Sequence, residues 1–434
     1  MKEVKKKPVT VALWIPFVWY AISATRAFSY WLYPENADLT EMKFLEGSPL
    51  DRDIYIALIV AGIVALLFRK VRWTEIIRKN IWFLLLFAYM AASIFWSEFQ
   101  DVAMKRFFKL FGSMVMALIV VTEPDPLEAM ATVVKRVLLV HLPLSIITIK
   151  YFRTIGVEWS KDGNYAMWTG LTVHKNLLGQ VCMTSGILFV WDMLRNRKNK
   201  TTLMVGAAYL LMTVYLMNGP GYSKSTTSMF VLLFGIATLA IVHLTRSNPK
   251  LLVKYVTGCF AASILLYVIF NLAVGAFTYK ESLMRATVEA SGRDMTFTGR
   301  TQLWSDMIDI ASVHPVKGVG YGSFWIGDLA NDLWEKHPWK PRQGHNGYLD
   351  VYVELGFIGL FLLAAVIVSG YNDIKNAFPV NFEYGKFRFV FLTMIVVHNL
   401  METSFLRGVH NIWFLFLIVA LSVPCVPKEE SGAG

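Results

Sequence analysis

Charge is what this sequence has least of: Asp, Glu, Lys and Arg make up 17% of its 434 residues, against 55% hydrophobic residues. A water-soluble chain carries about 25% charged residues and lacks repeated apolar runs of bilayer-crossing length. Here such runs recur along the whole chain, which excludes a soluble domain on a single anchor and points to one integral membrane unit over residues 1–434. Cysteine is scarcer still. Cys182, Cys259 and Cys425 all fall inside apolar runs, where a thiol behaves as a small hydrophobe, so neither a disulfide framework nor a cysteine metal site is expected. His/Cys clusters with ligand spacing are missing, and Asp51-Arg52-Asp53, the one Asp-x-Asp, reads as a solvated helix start. There is no P-loop, so nothing suggests ATP, and no cofactor is expected. The formal charge of +11 does not point to nucleic acid, because the basic residues lie between apolar runs and not in one aromatic-rich patch.

What the sequence does have is a series of apolar runs near the roughly 20 residues that a bilayer requires. They predict an all-α bundle of about twelve transmembrane helices, near 9–31, 54–68, 81–96, 108–122, 130–149, 177–194, 202–218, 226–245, 252–277, 350–370, 388–402 and 411–425. The start, Met1 to Lys7 before an apolar stretch, resembles a signal peptide. A long aromatic-rich run without a small-x-small site favours an uncleaved first helix.

Loop charge alternates. One set holds the Lys2 to Lys7 tail, Arg69 to Lys79, Arg195 to Lys200, Arg246 to Lys254, and Lys375, Lys386 and Arg388, and the positive-inside rule makes it cytoplasmic along with both termini. The opposite set contains Pro34 to Asp53, Ser97 to Arg106, Tyr151 to Asn176, Asn218 to Ser225, Lys280 to Leu349 and Glu402 to Asn411, which places it in the periplasm of a bacterial inner membrane. Lys105, Arg106 and Lys109 fit less well, as do Lys135 and Arg136 inside the fifth run. Residues 278–349 form the one large loop, and 427–434 read as a short disordered cytoplasmic tail. A loop that long is usually functional. Within it Leu303, Trp304, Met307, Ile308 and Ala311 recur at helical spacing opposite Gln302, Ser305, Asp306 and Asp309. This predicts an amphipathic helix, lying on the membrane surface or capping a cavity, with an ordinary small-domain helix as the bland alternative.

The polar motifs all fall in the periplasmic set. They are Thr172-Val-His174-Lys175-Asn176, Ser223-Lys224-Ser225, Gly292-Arg293-Asp294, Thr298-Gly299-Arg300, Arg342-Gln-Gly344-His345-Asn346 and Glu402-Thr403-Ser404. Singly, each has a structural reading. Lys224 can snorkel, Gly299 beside Arg300 can mark a turn, Asn176 can cap one helix, and Asn346 or Asp350 another. Together they supply cations for a diphosphate and a histidine able to take a proton from an attacking hydroxyl.

Gly344-His345-Asn346-Gly-Tyr-Leu followed by Glu354-Leu-Gly356-Phe-Ile-Gly359 resembles the central signature of the O-antigen ligase and polymerase superfamily. The runs Gly292 to Trp304, His314-Pro315, Gly318-Val-Gly-Tyr-Gly322 and Thr172 to Gly179 resemble its exopolysaccharide-polymerase branch. The resemblance implies an inverting, metal-independent glycosyltransferase of GT-C type, whose donor is a glycan on undecaprenyl diphosphate. It assigns Arg300 to the diphosphate and His345 to the acceptor hydroxyl or the diphosphate. Lys224 stands where ligases tend to have a second arginine, and lysine is a point charge without the bidentate fork. Lys175, Arg293 and Arg342 are further candidates for the diphosphate, with His174, Asn176, Asn346 and Glu402 in support. The expected partners are the donor, a glycan or lipid A core acceptor, the bilayer and a chain-length regulator. Polymerisation is the first reading, ligation to lipid A core or protein the alternative, and a lipid-linked glycan flippase a rival of another class.

Overall fold

The computed structural model describes residues 9–33, 48–159, 165–220, 223–248, 250–258, 260–261, 298–337 and 339–423. The helices are α1 (Trp14–Ala24), α2 (Phe28–Leu32), α3 (Pro49–Leu67), α4 (Trp73–Lys79), α5 (Ile81–Ser93), α6 (Gln100–Val121), α7 (Pro126–Tyr151), α8 (Arg153–Gly156), α9 (Lys175–Arg195), α10 (Lys200–Met217) and α11 (Thr226–Leu244). After them come α12 (Thr298–Ala311), α13 (Gly327–Lys336), α14 (Gly347–Ala377), α15 (Phe382–His398) and α16 (Asn411–Ala420). Among the described residues five helices are long and apolar enough to cross a bilayer, and α4 with the chain from Ile81 to Trp96 adds a bent pair at 77°. The chain is thus an all-helical membrane protein in its main architecture. One antiparallel hairpin, Val157–Trp159 with Ala166–Trp168, was not expected.

Helices α15 and α16 form the centre: α16 is buried along its whole length, and α15 from Tyr384 to His398. Around them the outer helices turn Leu67, Met204, Leu211 and Leu233 outward, each more than 60% exposed. In water such surface would be an aggregation hazard, whereas lipid tails solvate it, because the backbone polar groups of the helix interiors are already paired.

One end carries a set of buried and part-buried ion pairs. Arg69 pairs with Glu123, Lys135 with Asp192, and Arg195 with Glu128 at 3.2 Å. Arg388, fully buried, donates to Asp373 at 2.8 Å and to the Val419 and Leu421 carbonyls at the end of α16. A buried guanidinium is tolerable only with such a full set of acceptors.

Several boundaries differ from expectation for electrostatic reasons. The run 9–31 breaks after Ala24, because Arg26 turns inward and donates to the Thr172 carbonyl (2.9 Å) and the Ile155 carbonyl (2.6 Å). The fifth span begins earlier than expected, at Pro126 behind the Asp125 cap, so Lys135 and Arg136 lie within it. There Lys135 pairs with Asp192, and Arg136 lies over the Trp14 ring at 4.3 Å. The Ser97 to Arg106 loop is already α6 from Gln100 onward. Asp51 is not a free helix start, since it accepts from the Ser29 amide at 2.9 Å, and only the Arg52–Asp53 pair is solvated. Cys182 is buried and free, while Cys259 and Cys425 lie outside the described residues.

Helix α12 is the expected amphipathic helix with its face rotated: Ile308 is exposed, and Asp306 is buried against His337 at 2.8 Å. Leu303, Trp304 and Met307 pack with Phe324, Trp325, Leu333 and Val353 in a separate small core. It therefore forms, with α13, a cap on the first turns of α14.

Helix α14 is broken at Gly356, whose φ of 64° and ψ of −163° are open only to glycine. The break is filled by the preceding segment. Amides of Phe357 and Ile358 donate to the carbonyls of Pro315 (2.9 Å) and Val316 (3.2 Å). The freed carbonyls of Val353 and Glu354 accept from Val319 (3.1 Å) and Gly320 (2.9 Å). Two amides and two carbonyls freed at the break are thereby paired, which a membrane interior favours. A Cβ on Gly356 would lie 2.2 Å from the Val316 oxygen. Gly356→Ala is therefore expected to lower stability by about 2 kcal/mol or more, read as a fall in the thermal unfolding midpoint in detergent.

Candidate functional site

The site lies at the end of the bundle opposite the Arg388 cluster, where three chain segments converge on Glu402. His345 directs Nδ1 to Glu402 Oε2 at 3.0 Å. Arg300, at the start of α12, reaches Oε1 at 3.4 Å and donates to the Met401 carbonyl at 3.0 Å. Asn176, in the first turn of α9, donates to Oε1 at 3.1 Å. The Glu402 side chain is 5% exposed, those of His345 and Arg300 16% and 27%, so the cluster is an anion buried under two accessible groups.

Burial pushes the Glu402 carboxyl pKa up, but the hydrogen bond and charge of His345, then Arg300 and His398, outweigh it and hold it at about 2. An ionised Glu402 can only accept, so Nδ1 of His345 is the protonated nitrogen that donates to it. The alternative, Gln343 donating to Nδ1, is set at 3.5 Å and loses to the shorter, charge-assisted contact.

Local geometry aims each group. His345 has a φ of 49°, a left-handed conformation that costs a non-glycine residue of order 1 kcal/mol or more. Its neighbours hold it there. The Gly344 amide donates to both oxygens of Asp350, at 3.1 and 3.2 Å, and Trp304 Nε1 donates to the Gly344 carbonyl. On the other side Asn346 caps α14, its Oδ1 accepting from the amides of Tyr348 and Leu349. Asp350 thus does not cap the helix. It joins the His345 turn to the Glu402 loop, accepting also from Thr403 Oγ1, Trp325 Nε1 and Arg407. The Glu402 loop is folded around Asn399, whose Oδ1 accepts from the amides of Ser404 (2.9 Å) and Phe405 (3.1 Å). The Gly347 amide donates to the Asn399 and Glu402 carbonyls, which ties the two loops backbone to backbone.

On the third segment the cap of α9 is His174, whose Nδ1 accepts from the Leu177 amide at 3.1 Å, and not Asn176 as its type suggests. Asn176 is left free to face Glu402 because His174 takes the capping duty. Arg26 fastens this segment from below through the Thr172 carbonyl.

Of the expected residues, His345, Arg300, Asn176 and Glu402 come into direct contact, with Asn346 shaping the turn. Lys224 is exposed at the same end. Its loop is held by Ser223, which accepts from the Trp168 amide at 2.9 Å, and by Ser225, against which Gly179 of α9 packs. Lys175 and the exposed Arg342 flank the cluster in sequence, beside Asn176 and His345. Arg293 and Asp294 lie outside the described residues. Asp350, Asn399 and Arg26 were missed as organisers of the site: an Asp at a helix start has the sequence signal of a cap, and nothing local marks an Asn at a helix end or an Arg after one as the partner of a distant loop.

Residues 207–364 match the family model described as O-Antigen ligase. The chain is 28% identical over 301 residues to the exopolysaccharide production protein ExoQ of Rhizobium meliloti (strain 1021), covering 67% of this chain and 64% of that protein. It thus spans just under two thirds of the relative that it matches. The resemblance to the O-antigen ligase and polymerase superfamily, read first from the motifs, is shown by these two matches. The family match takes in Lys224, Arg300 and His345 but stops short of Glu402.

Glu402→Gln is expected to lower the unfolding midpoint at neutral pH. A depressed carboxylate stabilises the fold fully above its ordinary value of 4.5 and loses that contribution as pH falls toward about 2. The gap between wild type and Glu402→Gln in thermal unfolding should therefore be constant near neutrality and shrink on acidification. A gap independent of pH would contradict the ionised carboxylate.

Proposed function

We propose that this chain is a multi-pass GT-C-type glycosyltransferase of about twelve spans in the bacterial inner membrane, which joins undecaprenyl-diphosphate-linked repeat units on the periplasmic face, both termini being cytoplasmic. The observation that carries the reading is the convergence of His345 and Arg300 on one buried carboxylate. A histidine held through Nδ1 on that carboxylate, with Nε2 as the proposed base, stands beside a cation that can hold a diphosphate, and transfer from a diphosphate donor needs these two groups together.

In this mechanism the acceptor hydroxyl donates its proton to Nε2 of His345 as its oxygen attacks the anomeric carbon. The bond from that carbon to the diphosphate breaks, and the direct displacement inverts the centre. Glu402 stabilises the imidazolium that forms, much as a buried carboxylate supports a catalytic histidine elsewhere. Charge growing on the leaving diphosphate is taken up by Arg300 and Lys224, with Lys175, Arg293 and Arg342 as further cations. No metal or cofactor is required by this scheme. The proton leaves His345 to solvent, and the lipid diphosphate is released.

Polymerisation is supported by the exopolysaccharide production relative. The description of the family model favours the second reading, ligation of the glycan to lipid A core or to a protein.

His345→Ala is expected to abolish glycosidic bond formation by the purified chain, supplied with a lipid-linked repeat unit in detergent without ATP, while protein level and topology are kept. Full-length product from that variant would remove His345 from the mechanism, and glycan crossing a liposome wall without bond formation would replace the enzyme by a flippase. Lys224→Arg should retain more activity than Lys224→Ala, the latter losing about 10-fold or more. Equal activities would leave Lys224 with a snorkelling role only.

A further inference from the structure

We propose that Trp339 is the platform on which a sugar ring of the acceptor glycan lies as its hydroxyl meets His345; the inference rests on the glycosyl-transfer reading above. The cap and the turn after it carry four tryptophans. Trp304 and Trp325 are buried and donate to the Gly344 carbonyl and to Asp350, and Trp334 donates to the Pro341 carbonyl at 2.7 Å. These three hold the His345 turn in place. Trp339 is 42% exposed.

A single exposed aromatic ring is ordinary, so its position has to decide the matter. The Trp339 ring lies 6.0 Å from the His345 ring, centroid to centroid, with a tilt of 35°. That separation is about the width of one sugar ring, so a pyranose lying on the indole has its edge hydroxyls at the imidazole. Aromatic faces carry negative charge density and attract the weakly positive C–H faces of a sugar, while the hydroxyls around the rim stay free for polar partners.

The turn that presents the ring is fixed in advance. His337, 6.3 Å from Trp339, is anchored on Asp306 at 2.8 Å, and the Lys340 amide donates to the His337 carbonyl at 2.8 Å. Lys340 itself is left-handed at a φ of 49°, a conformation held only because the flanking contacts enforce it. A rigid ring on a pinned turn binds without paying to order a loop. The neighbouring exposed groups, Lys336 and Arg342, are polar partners suited to sugar hydroxyls.

The test uses the full chain in nanodiscs with a lipid-linked repeat unit extracted from a host lacking this gene, and with the growing glycan titrated as acceptor. Trp339→Ala and Trp339→Leu are expected to raise the acceptor KM by on the order of 10-fold while kcat falls less than about 3-fold, and Trp339→Phe and Trp339→Tyr to keep KM within about 3-fold of wild type. Leucine separates stacking from bilayer anchoring, because it keeps the apolar character and loses the flat face. A wild-type KM in Trp339→Leu or in Trp339→Ala would overturn the proposal. His345→Ala in the same assay separates the two levels: an active His345→Ala defeats the transfer reading itself, whereas an inactive His345→Ala beside a normal Trp339→Leu defeats the platform alone.

Discussion

A buried carboxylate is costly unless it is fully paired, and the pairing of Glu402 organises the functional end of this protein. Its two oxygens accept from His345, Arg300 and Asn176, which arrive from the start of α14, the start of α12 and the start of α9. Each partner depends on its own scaffold, so a single anion couples the cap, the bundle and the loop before α16. The same pairing orients the histidine. With Glu402 charged, Nδ1 is the donor to it, and the proposed mechanism assigns the base to Nε2.

The second constraint is the broken helix. The interruption at Gly356 would leave backbone groups orphaned in an apolar setting, and the segment from Pro315 to Gly320 satisfies them strand-fashion. That segment leads directly into Gly322, Phe324 and Trp325, hence into the small core beneath α12. The break therefore anchors the cap against the first turns of α14, and with it the turn that carries His345. Arg106 and Glu354 reinforce the same junction, the former donating to the Gly322 carbonyl and the latter accepting from the Gly322 amide. The glycines of the His314 to Gly322 and Glu354 to Gly359 motifs thus have a structural role. At Gly318, φ is +71° and an added Cβ would lie 2.4 Å from Glu354 backbone, so only hydrogen fits.

The opposite end is built on the same rule with different consequences. Arg69, Lys135, Arg195 and Arg388 all find buried or half-buried carboxylates, so their charge is neutralised inside the protein. At the Glu402 end cations are left accessible: the Arg300 side chain is 27% exposed on Glu402, and Lys224 and Arg342 are exposed.

The membrane character, the long apolar helices, the amphipathic helix and the meeting of His345, Arg300 and Glu402 at one end were legible in the sequence, because hydropathy and residue type act locally and need no partner to be read. Where a residue's duty depends on what lies across from it, the sequence was silent or misleading. His174 and not Asn176 caps α9, Asp306 is buried beside His337 while Ile308 is exposed, and Arg26 ends the first helix by reaching a loop 146 residues away in sequence. Asp350 had the sequence signal of a cap and proved to be a tie between two loops. The amino-acid sequence by itself determined the membrane character of the chain and singled out its polar motifs, since burying apolar surface and placing positive charge are local demands. Only the tertiary structure decided which of those motifs touch, because the pairing of a buried charge is a contest among all groups that the packing brings within about 3 Å, and that contest was won at Glu402.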